Sequence, residues 1–97
     1  MIIIAGSLRV ARDDRSRYLT TVAEVALLAR QSEGCLDFVQ AADPLDPERI
    51  NIFERWESDE DLERFRTSGD PDAPEPEMPE LLGAEVRKYR ITSVEDP

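Results

Sequence analysis

The positions of hydrophobic and polar residues predict the element order β-α-β-β-α-β along this chain. Residues 1–10 are rich in isoleucine, and the first half of this segment is apolar at consecutive positions, as expected of a strand that is covered on both faces. Residues 15–32 repeat apolar side chains at helical spacing. Asp13 or Asp14 is placed to cap this helix at its start, and Gly34 is placed to end it.

The next two segments predict a β-hairpin. Residues 35–41 and 49–57 are rich in apolar and aromatic side chains, and residues 43–47 between them contain the Asp and Pro residues that favour a turn. Because successive side chains of a strand point to opposite faces, the second segment divides into two sets. One face carries Ile50, Ile52, Glu54 and Trp56, and the other carries Asn51, Phe53 and Arg55.

The remainder of the chain predicts a second helix, a loop and a closing strand. Ser58 and the three acidic residues after it are typical of a helix start, and Gly69 is typical of a helix end. Residues 70–79 include four prolines and predict an acidic loop of extended or polyproline conformation. This loop is a solvated surface segment, a lid over a pocket, or an arm that contacts a second subunit. We further predict a short helical turn at residues 80–82 and a strand over residues 84–94.

Composition excludes several classes of function. The chain has 97 residues, which predicts one domain over residues 1–97, and no apolar run approaches the ~20 residues of a membrane span. Its net charge of −10 argues against nucleic-acid binding. It contains no histidine, which removes Ser-His-Asp and Cys-His catalysis and most zinc sites. A lone cysteine cannot form an internal disulfide and predicts the reducing cytoplasm as the location.

The acidity is concentrated in one part of the chain. Residues 43–80 contain 14 acidic and 4 basic side chains, whereas the remaining residues contain 8 of each. The first strand, the first helix and the closing strand are therefore balanced in charge, as suits elements that build a core and a subunit contact.

Four motifs follow one another along the chain: Gly34-Cys35-Leu36, a hairpin through Asp46-Pro47, the run Phe53-Glu54-Arg55-Trp56-Glu57-Ser58 with Leu62 four residues later, and the closing Lys88-Tyr89-Arg90-Ile91. This succession resembles the antibiotic biosynthesis monooxygenase family. The resemblance implies an α+β fold, a ferredoxin-like β-α-β-β-α-β sandwich with an antiparallel sheet. It also implies that two sheets join in a homodimer, the dimeric α+β barrel, and that each subunit has a small-molecule pocket between its sheet and its helices.

The family includes cofactor-independent oxygenases of aromatic polyketides and quinols, haem-degrading enzymes and an isomerase-type enzyme. Members commonly carry a histidine in the second helix, a few residues after the position of Leu62, and the haem-degrading branch uses a histidine ligand. This chain cannot supply one. We therefore expect no haem, no other cofactor and no metal site. The cofactor-independent branch implies an electron-rich substrate that forms an anion and gives an electron to oxygen.

The resemblance and the strand alternation together indicate a set of site residues. Glu54 lies on an apolar face, where burial would raise its pKa and make it a general base, unless it pairs with Arg87, with Arg90, with a backbone group or with the second subunit. Trp56 matches the family tryptophan and either packs in the core or stacks on a planar substrate. Arg87 steadies a substrate enolate or phenolate, faces solvent, or lies at a dimer edge. The predicted catalytic residues are Glu54, Trp56 and Arg87, and the predicted pocket residues are Tyr18, Phe38, Ile52, Phe65 and Tyr89.

Two functions from different classes remain. The first is a cofactor-independent monooxygenase, an oxidoreductase that acts on a small aromatic, phenolic or quinol substrate. The alternative is a non-catalytic dimeric ligand-binding or accessory domain of the same fold, which the missing histidine favours. An isomerase of a small carbonyl compound needs both an acid and a base and ranks below these. A homodimer is also predicted from the first strand, because helices on one side of the sheet leave its other apolar face uncovered.

Overall fold

The computed structural model describes residues 1–69, 72–73 and 77–97 and confirms the predicted element order. Its elements are β1 (Ile2–Val10), α1 (Arg15–Arg30), β2 (Cys35–Ala42), β3 (Arg49–Trp56), α2 (Asp59–Arg66) and β4 (Leu81–Arg90). A short 3-10 turn, Arg12–Asp14, leads into α1. Within the described residues the strands form one antiparallel sheet in the order β2-β3-β1-β4, which is the α+β, ferredoxin-like arrangement that the sequence predicts.

The strand register decides which side chains face the helices. Glu54 pairs with Ile4 of β1 and with Phe38 of β2, and Ile4 pairs in turn with Lys88 of β4. Residues directly opposite each other in an antiparallel pair lie on the same face of the sheet. We call the face that carries these four residues the helix side, and the opposite face, which carries Phe53, the outer side.

The buried side chains of β1, β2 and β3 lie on the helix side and pack with the helices in two clusters. The first cluster joins both helices to the sheet and contains Ile2, Ile4, Ala29, Phe38, Trp56 and Leu62. The second joins α1 to the other end of the sheet and contains Leu8, Val10, Tyr18, Val22, Ile50 and Ile52. Burial of each large apolar side chain contributes about 1.5–3 kcal/mol, so these clusters are the main source of stability. Neither helix of the described chain is both long and apolar enough to cross a membrane.

Strand β4 is the least covered element, since all ten of its residues are exposed. It pairs with β1 along one edge, and α2 reaches it through Asp59. The Asp59 carboxylate accepts hydrogen bonds from Lys88 Nζ at 2.8 Å and from Arg90 Nη1 at 2.7 Å. The bonds from Arg90 and then from Lys88 hold the pKa of Asp59 well below its usual range, so this link between α2 and β4 is ionic near neutral pH.

Two predicted boundaries near the end of the chain are wrong. Residues 80–82 do not form a helical turn, because β4 already begins at Leu81, which pairs with Val10 beyond a register shift. Pairing with β1 satisfies backbone groups that a helical turn would leave without partners, and this outweighs local preference. The strand then ends at Arg90 rather than at residue 94. The predicted loop over residues 70–79 lies partly outside the described residues, which omit 70–71 and 74–76.

Gly34 serves as a junction between elements rather than as the cap of α1. The helix ends at Arg30, and Gly34 follows with a φ of 82°, in the left-handed region that favours glycine. A Cβ atom at this position would collide with the side chain of Asp61 in α2. The carbonyl oxygen of Gly34 also accepts the backbone N–H of Glu57 at 2.8 Å. The absence of a side chain therefore lets β2 begin directly beside the start of α2.

The loop between β2 and β3 is held by Asp43 and Arg15. The Asp43 carboxylate accepts the backbone N–H groups of Leu45 at 3.0 Å and of Asp46 at 2.9 Å, and the side-chain amide of Asn51 at 2.8 Å. Arg15 Nη1 donates to three carbonyl oxygens of the hairpin, of which that of Asp46 is nearest, at 2.8 Å. The Asn51 bond and the two backbone N–H groups lower the pKa of Asp43 from 3.8 to about 2.

Replacement of Asp43 by alanine is expected to lower the melting temperature near neutral pH, because the loop loses three hydrogen-bond acceptor contacts. The folded-state pKa of Asp43 lies below its unfolded value, so its contribution is present above about pH 4 and is lost as the pH falls towards about 2. Thermal unfolding followed by circular dichroism across this range measures both effects. The matched control is Asp13→Ala on the exposed 3-10 turn. Equal melting temperatures of Asp43→Ala and wild type at neutral pH would contradict the prediction.

The close approach of β4 to β1 is centred on Gly6. This residue has a φ of 151°, which side-chain-bearing residues rarely adopt. A Cβ atom there would collide with the backbone oxygen of Glu85. Because the obstacle is the backbone of a paired strand rather than the tip of a flexible side chain, it cannot move aside without breaking the pairing of β1 with β4.

Gly6→Ala is therefore expected to destabilise the protein by about 1–3 kcal/mol, as strain at a special backbone conformation does. Gly83→Ala in β4 is the matched control, since a Cβ atom there would lie 3.7 Å from the Arg9 Cβ, an ordinary contact. Urea unfolding of the two variants and the wild type measures the difference. If the midpoint of Gly6→Ala matches that of Gly83→Ala, the argument from close approach fails.

Candidate functional site

The candidate site is built around Glu54 and Trp56, which alternate onto the helix side of β3. Trp56 is fully buried, and its indole Nε1 donates a hydrogen bond to Glu54 Oε1 at 3.1 Å. Ile4 and Phe38 flank the carboxylate from the neighbouring strands. The sequence therefore folds into a pair in which a buried indole N–H orients a half-buried carboxylate on an apolar surface.

Burial raises the pKa of Glu54 above its ordinary value of 4.5, because the apolar surroundings disfavour the charged form. The hydrogen bond from Trp56 and the positive charge of Arg66 favour the carboxylate and partly offset this rise. A carboxyl group whose pKa is moved towards neutrality is a better proton acceptor than an exposed one. Desolvation is therefore the largest influence on the pKa of Glu54.

Two phenylalanines complete the wall around this pair. The Phe65 ring of α2 packs on Trp56 with a centroid distance of 5.5 Å and an interplanar angle of 31°. It meets the edge of Phe38 at 6.4 Å and 68°. Aromatic side chains from β2, β3 and α2 thus converge beside the Glu54 carboxylate and shield one side of it from solvent.

The position of α2 follows from the residues at its first turn. Ser58 is the N-cap, and its Oγ accepts the backbone N–H of Asp61 at 3.2 Å while donating to the Asp61 carboxylate at 2.8 Å. The N-cap therefore lies two residues after Trp56, and the helix begins at the next residue, Asp59. Leu62 is buried, and Phe65 follows three residues later on the same face of the helix. This short helix therefore places the Phe65 ring against Trp56 of the sheet.

The structure divides the remaining predicted site residues between two places. Tyr18 and Ile52 lie on the helix side but belong to the second cluster, away from Phe65. The Tyr18 hydroxyl donates to Gln40 Oε1 at 2.9 Å, and burial raises the pKa of this phenol. Sequence reasoning missed Gln40, although it lies two residues after Phe38 and therefore on the same face of β2.

Arg87 and Tyr89 are on the outer side of the sheet. Arg87 pairs with Ala5 and Tyr89 with Ile3, whereas Glu54 pairs with Ile4 on the helix side. A catalytic set that unites Arg87 with Glu54 is therefore not formed within one subunit, and the alternation of β4 explains this. Arg87 and Tyr89 instead line an open groove of about 270 Å³ on the outer side, together with residues of β1 and β3.

The predicted pairing of Glu54 with Arg87 or Arg90 is not formed among the described residues. Arg90 donates to Asp59, and Arg87 lies on the far side of the sheet. The cation that acts on Glu54 is Arg66, at the last turn of α2. Sequence reasoning missed this residue. The available signal was its position four residues after Leu62, which places both on one face of the helix.

A surface beside Glu54 remains open to solvent. The helix-side residues of β4 are exposed. They include Val86, which pairs with Gly6, the next helix-side position of β1 after Ile4. Gly6 adds no side chain to the helix side at this point, between Ile4 and Leu8. A second concavity, of about 360 Å³, lies between α1 and β2 and is lined mainly by apolar side chains such as Leu19 and Val39.

The site residues do not fit haem held through a histidine, because the chain contains none. In the described ranges, no three His, Cys, Asp or Glu side chains come close enough together to hold a metal ion. The polar groups that face the aromatic wall are a carboxylate and an indole N–H. These groups suit an organic substrate with an acidic proton.

Solved structures share this fold at low sequence identity. A proposed antibiotic biosynthesis monooxygenase from Deinococcus radiodurans superimposes with a TM-score of 0.75 at 14% identity, covering 100% of this chain and 98% of that one. One from Nitrosomonas europaea gives 0.75 at 12% identity, with 96% and 100% covered. The haem degrader MhuD from Mycobacterium tuberculosis, solved with two haems in its active site, gives 0.70 at 19% identity, with 99% and 100% covered.

These likenesses establish the fold. Among curated proteins, none has a sequence that matches this chain. The model of the antibiotic biosynthesis monooxygenase family, by contrast, matches residues 1–73, which hold every element of the candidate site from β1 to α2. The chain therefore belongs to the antibiotic biosynthesis monooxygenase family.

Proposed function

We propose that this protein is a cofactor-independent monooxygenase that acts on a small phenolic, quinol or related aromatic substrate, with Glu54 as its general base. The observation that carries the proposal is the half-buried Glu54 carboxylate, oriented by Trp56 and set beside three aromatic rings. Such a site offers a proton acceptor and a dry wall for a flat ring. The family and its monooxygenase-like structural neighbours support the same reaction class.

The reaction begins with transfer of an acidic substrate proton to Glu54. The substrate anion then gives one electron to O₂, and the resulting substrate radical and superoxide combine to form a carbon–oxygen bond. The product of this step is a hydroperoxide, once a proton returns to the distal oxygen. At the CH₂ carbon of an anthrone-type substrate, or at a ring C–H carbon of a phenol or quinol, the carbon that bears the hydroperoxide still holds one hydrogen. Loss of water then leaves a carbonyl group, so one oxygen atom enters the product and the other leaves as water.

The aromatic wall contributes by controlling water and charge. Trp56, Phe65 and Phe38 remove water from one side of the site, which strengthens electrostatic interactions within it and protects reactive intermediates. The indole N–H of Trp56 keeps one Glu54 oxygen occupied and leaves the other free to accept the substrate proton. In this scheme Glu54 takes the substrate proton. Trp56 orients the Glu54 carboxylate, and the phenylalanines enclose the substrate.

The second candidate is a non-catalytic ligand-binding domain. Its support is the sparse polar content of the site, with the carboxylate of Glu54 and the indole of Trp56 facing the aromatic wall, and the lack of the histidine common in the family. The same aromatic ligands would then bind without being oxidised. The free thiol of Cys35 is compatible with our proposal of a cytoplasmic location for either function.

Glu54→Gln is expected to reduce oxygen consumption with hydroquinone- or anthrone-type substrates by about 10²–10⁴-fold, the usual contribution of a general base. Glutamine can still accept the Trp56 hydrogen bond but cannot take the proton. In the wild type the rate should rise with pH through the raised pKa of Glu54, since the ionised form is the base. An oxygen electrode with no added metal, flavin or haem measures both effects.

Glu57→Gln is the matched control, because Glu57 is exposed and lies just beyond β3. It should retain wild-type oxygen consumption. A wild-type protein that binds these substrates without consuming oxygen would favour the ligand-binding domain. A Glu54→Gln variant with unchanged rate and unchanged pH dependence would remove Glu54 from the mechanism.

We also propose that the protein forms a homodimer through the outer side of its sheet. Phe53 and Tyr89 are 38% and 50% exposed there, and helices cover the opposite side. Arg55, also on the outer side, has its Nε atom buried, without a hydrogen-bond partner among the described residues. A second sheet would cover the apolar side chains and supply acceptors for the arginine.

Phe53→Arg is expected to convert this dimer into a monomer, because it places a charge beside Arg55 and removes an apolar contact. Leu27→Arg on α1 is the control: Leu27 is 59% exposed but lies on a helix, away from the outer side. Light scattering at micromolar concentration gives the mass of each. A monomeric wild type would overturn the dimer, and a dimeric Phe53→Arg variant would exclude this face.

A further inference from the structure

We propose that the groove between α1 and β2 binds an apolar carboxylic acid, such as a medium-chain fatty acid, with its carboxylate against Arg30. The groove shares Phe38 with the aromatic wall but includes neither Glu54 nor Trp56, so this inference goes beyond the proposed function and does not depend on it. Its evidence is an apolar lining, two fixed side chains that offer unpaired hydrogen-bond donors, and a strand edge that is closed to a further strand.

The first observation is the size and lining of the groove. Its volume of about 360 Å³ lies within the ~300–1,000 Å³ that is usual for small-molecule sites. Its lining is apolar apart from Arg30 and Gln40, and it contains no acidic residue, although the whole chain carries a charge of −10. Leu19 and Ala26 also pack against the buried clusters, whereas Leu27 remains 59% exposed. The described part of the chain thus leaves an apolar concave surface uncovered here.

The second observation is the state of Arg30, in the last turn of α1. Its Nε–H donates to the backbone carbonyl oxygen of Phe38 at 2.9 Å, which ties the side chain to β2. Within the described residues, its two Nη atoms form no hydrogen bond and no ion pair. A guanidinium group binds a carboxylate through two parallel N–H donors. An arginine that is held at Nε and free at both Nη atoms is therefore prepared for this contact.

The third observation concerns Gln40, which lies two residues after Phe38 on the same face of β2. Its Oε1 accepts the hydroxyl group of Tyr18 at 2.9 Å, and this bond fixes the orientation of the amide. The amide NH₂ group has no partner in the part of the chain that the structure describes. Arg30 and Gln40 therefore both present unpaired N–H donors. A carboxylate matches them because it only accepts hydrogen bonds, whereas Arg30 would repel an ammonium group.

The edge of the sheet indicates what kind of molecule occupies the groove. β2 is an edge strand, and free backbone groups at a sheet edge can pair with the strand of another chain. At Phe38 both backbone groups are already engaged, because the N–H donates to Asp37 Oδ1 at 2.9 Å and the carbonyl oxygen accepts Arg30. A peptide, or a strand of a second copy, would therefore find no pairing beside the groove. An acyl chain has no peptide groups to satisfy, which favours a small apolar acid as the occupant.

The experiment titrates octanoate and octanol into isotope-labelled protein and follows the amide chemical shifts. The two probes have the same apolar chain, so the difference between them reports the charged head group. The wild type is expected to bind octanoate more tightly than octanol, with the largest shifts in α1 and β2. Arg30→Gln should weaken octanoate binding about tenfold and leave octanol binding nearly unchanged, whereas Arg30→Lys should restore part of the affinity because it keeps the charge.

Ala23→Phe tests the groove itself. Ala23 is exposed and lines the groove, so a phenyl ring at this position fills the cavity without disturbing the core. It should weaken the binding of both probes about tenfold, because the acyl chain loses its apolar contact surface. Glu24→Phe is the matched control, since Glu24 is exposed on the same helix and does not line the groove. Thermal melts and light scattering of both variants accompany the titrations.

The inference would be overturned by a wild type that does not bind octanoate, or by Arg30→Gln that binds it as well as the wild type or loses both probes equally. Octanoate binding that survives in Ala23→Phe would place the ligand elsewhere. A mass in light scattering that changes in Ala23→Phe but not in Glu24→Phe would assign the groove to a second copy of the chain and also overturn the inference. Glu54→Gln should leave octanoate binding unchanged, so failure of the monooxygenase proposal is distinguishable from failure of this one.

Discussion

A slip of one residue between β1 and β3 would turn Glu54 and Trp56 from the helix side to the outer side, because side chains alternate along a strand. The register that pairs Ile4 with Glu54 and Ile2 with Trp56 is therefore the constraint on which core and site both depend. It packs the buried side chain of Trp56 against α2 and brings the Glu54 carboxylate within hydrogen-bond distance of the Trp56 indole N–H. The same register sends Phe53 outward, so one set of backbone hydrogen bonds fixes both surfaces of the sheet.

Sequence reasoning succeeded where a residue has one dominant preference. The alternation in β3 correctly put Ile50, Ile52, Glu54 and Trp56 together, since three of these four are apolar and must be buried. The cap at Ser58 was recognised because a hydroxyl before an acidic turn has few other roles. By contrast, Leu81 was assigned to a helical turn, because its pairing with Val10 depends on a partner far away in the sequence.

The sequence pattern could not show which face of β4 lies on the helix side. Every residue of this strand is exposed, so alternation shows that Arg87 and Tyr89 share a face but not which face the helices cover. The influence of Arg66 on the pKa of Glu54 was hidden for a related reason. An arginine in the last turn of a helix is favourable for its charge alone, and the sequence does not distinguish it from Arg64, which is paired on the surface. Their difference appears once the helix is set against the sheet.

The acidity of the chain also has a different meaning in the folded protein. Asp43, Asp59 and Asp61 lie in the acidic stretch, yet each accepts hydrogen bonds that fix a loop, a strand or a helix start. Part of the negative charge is thus used to build the molecule rather than to repel or attract partners. This leaves Glu54 as a carboxylate of another kind, one that is half-buried and accepts its hydrogen bond from an indole N–H.

The close approach of β4 to Gly6 limits the chemistry that this scaffold can acquire. Position 6 of the central strand admits no side chain, and its neighbours on the helix side, Ile4 and Leu8, are buried and apolar. The middle of β1 therefore presents no polar side chain on the helix side. Any new functional group on this part of the sheet has to come from β3, from β4 or from α2, so changes of substrate are accessible through those flanking elements while the central strand stays fixed.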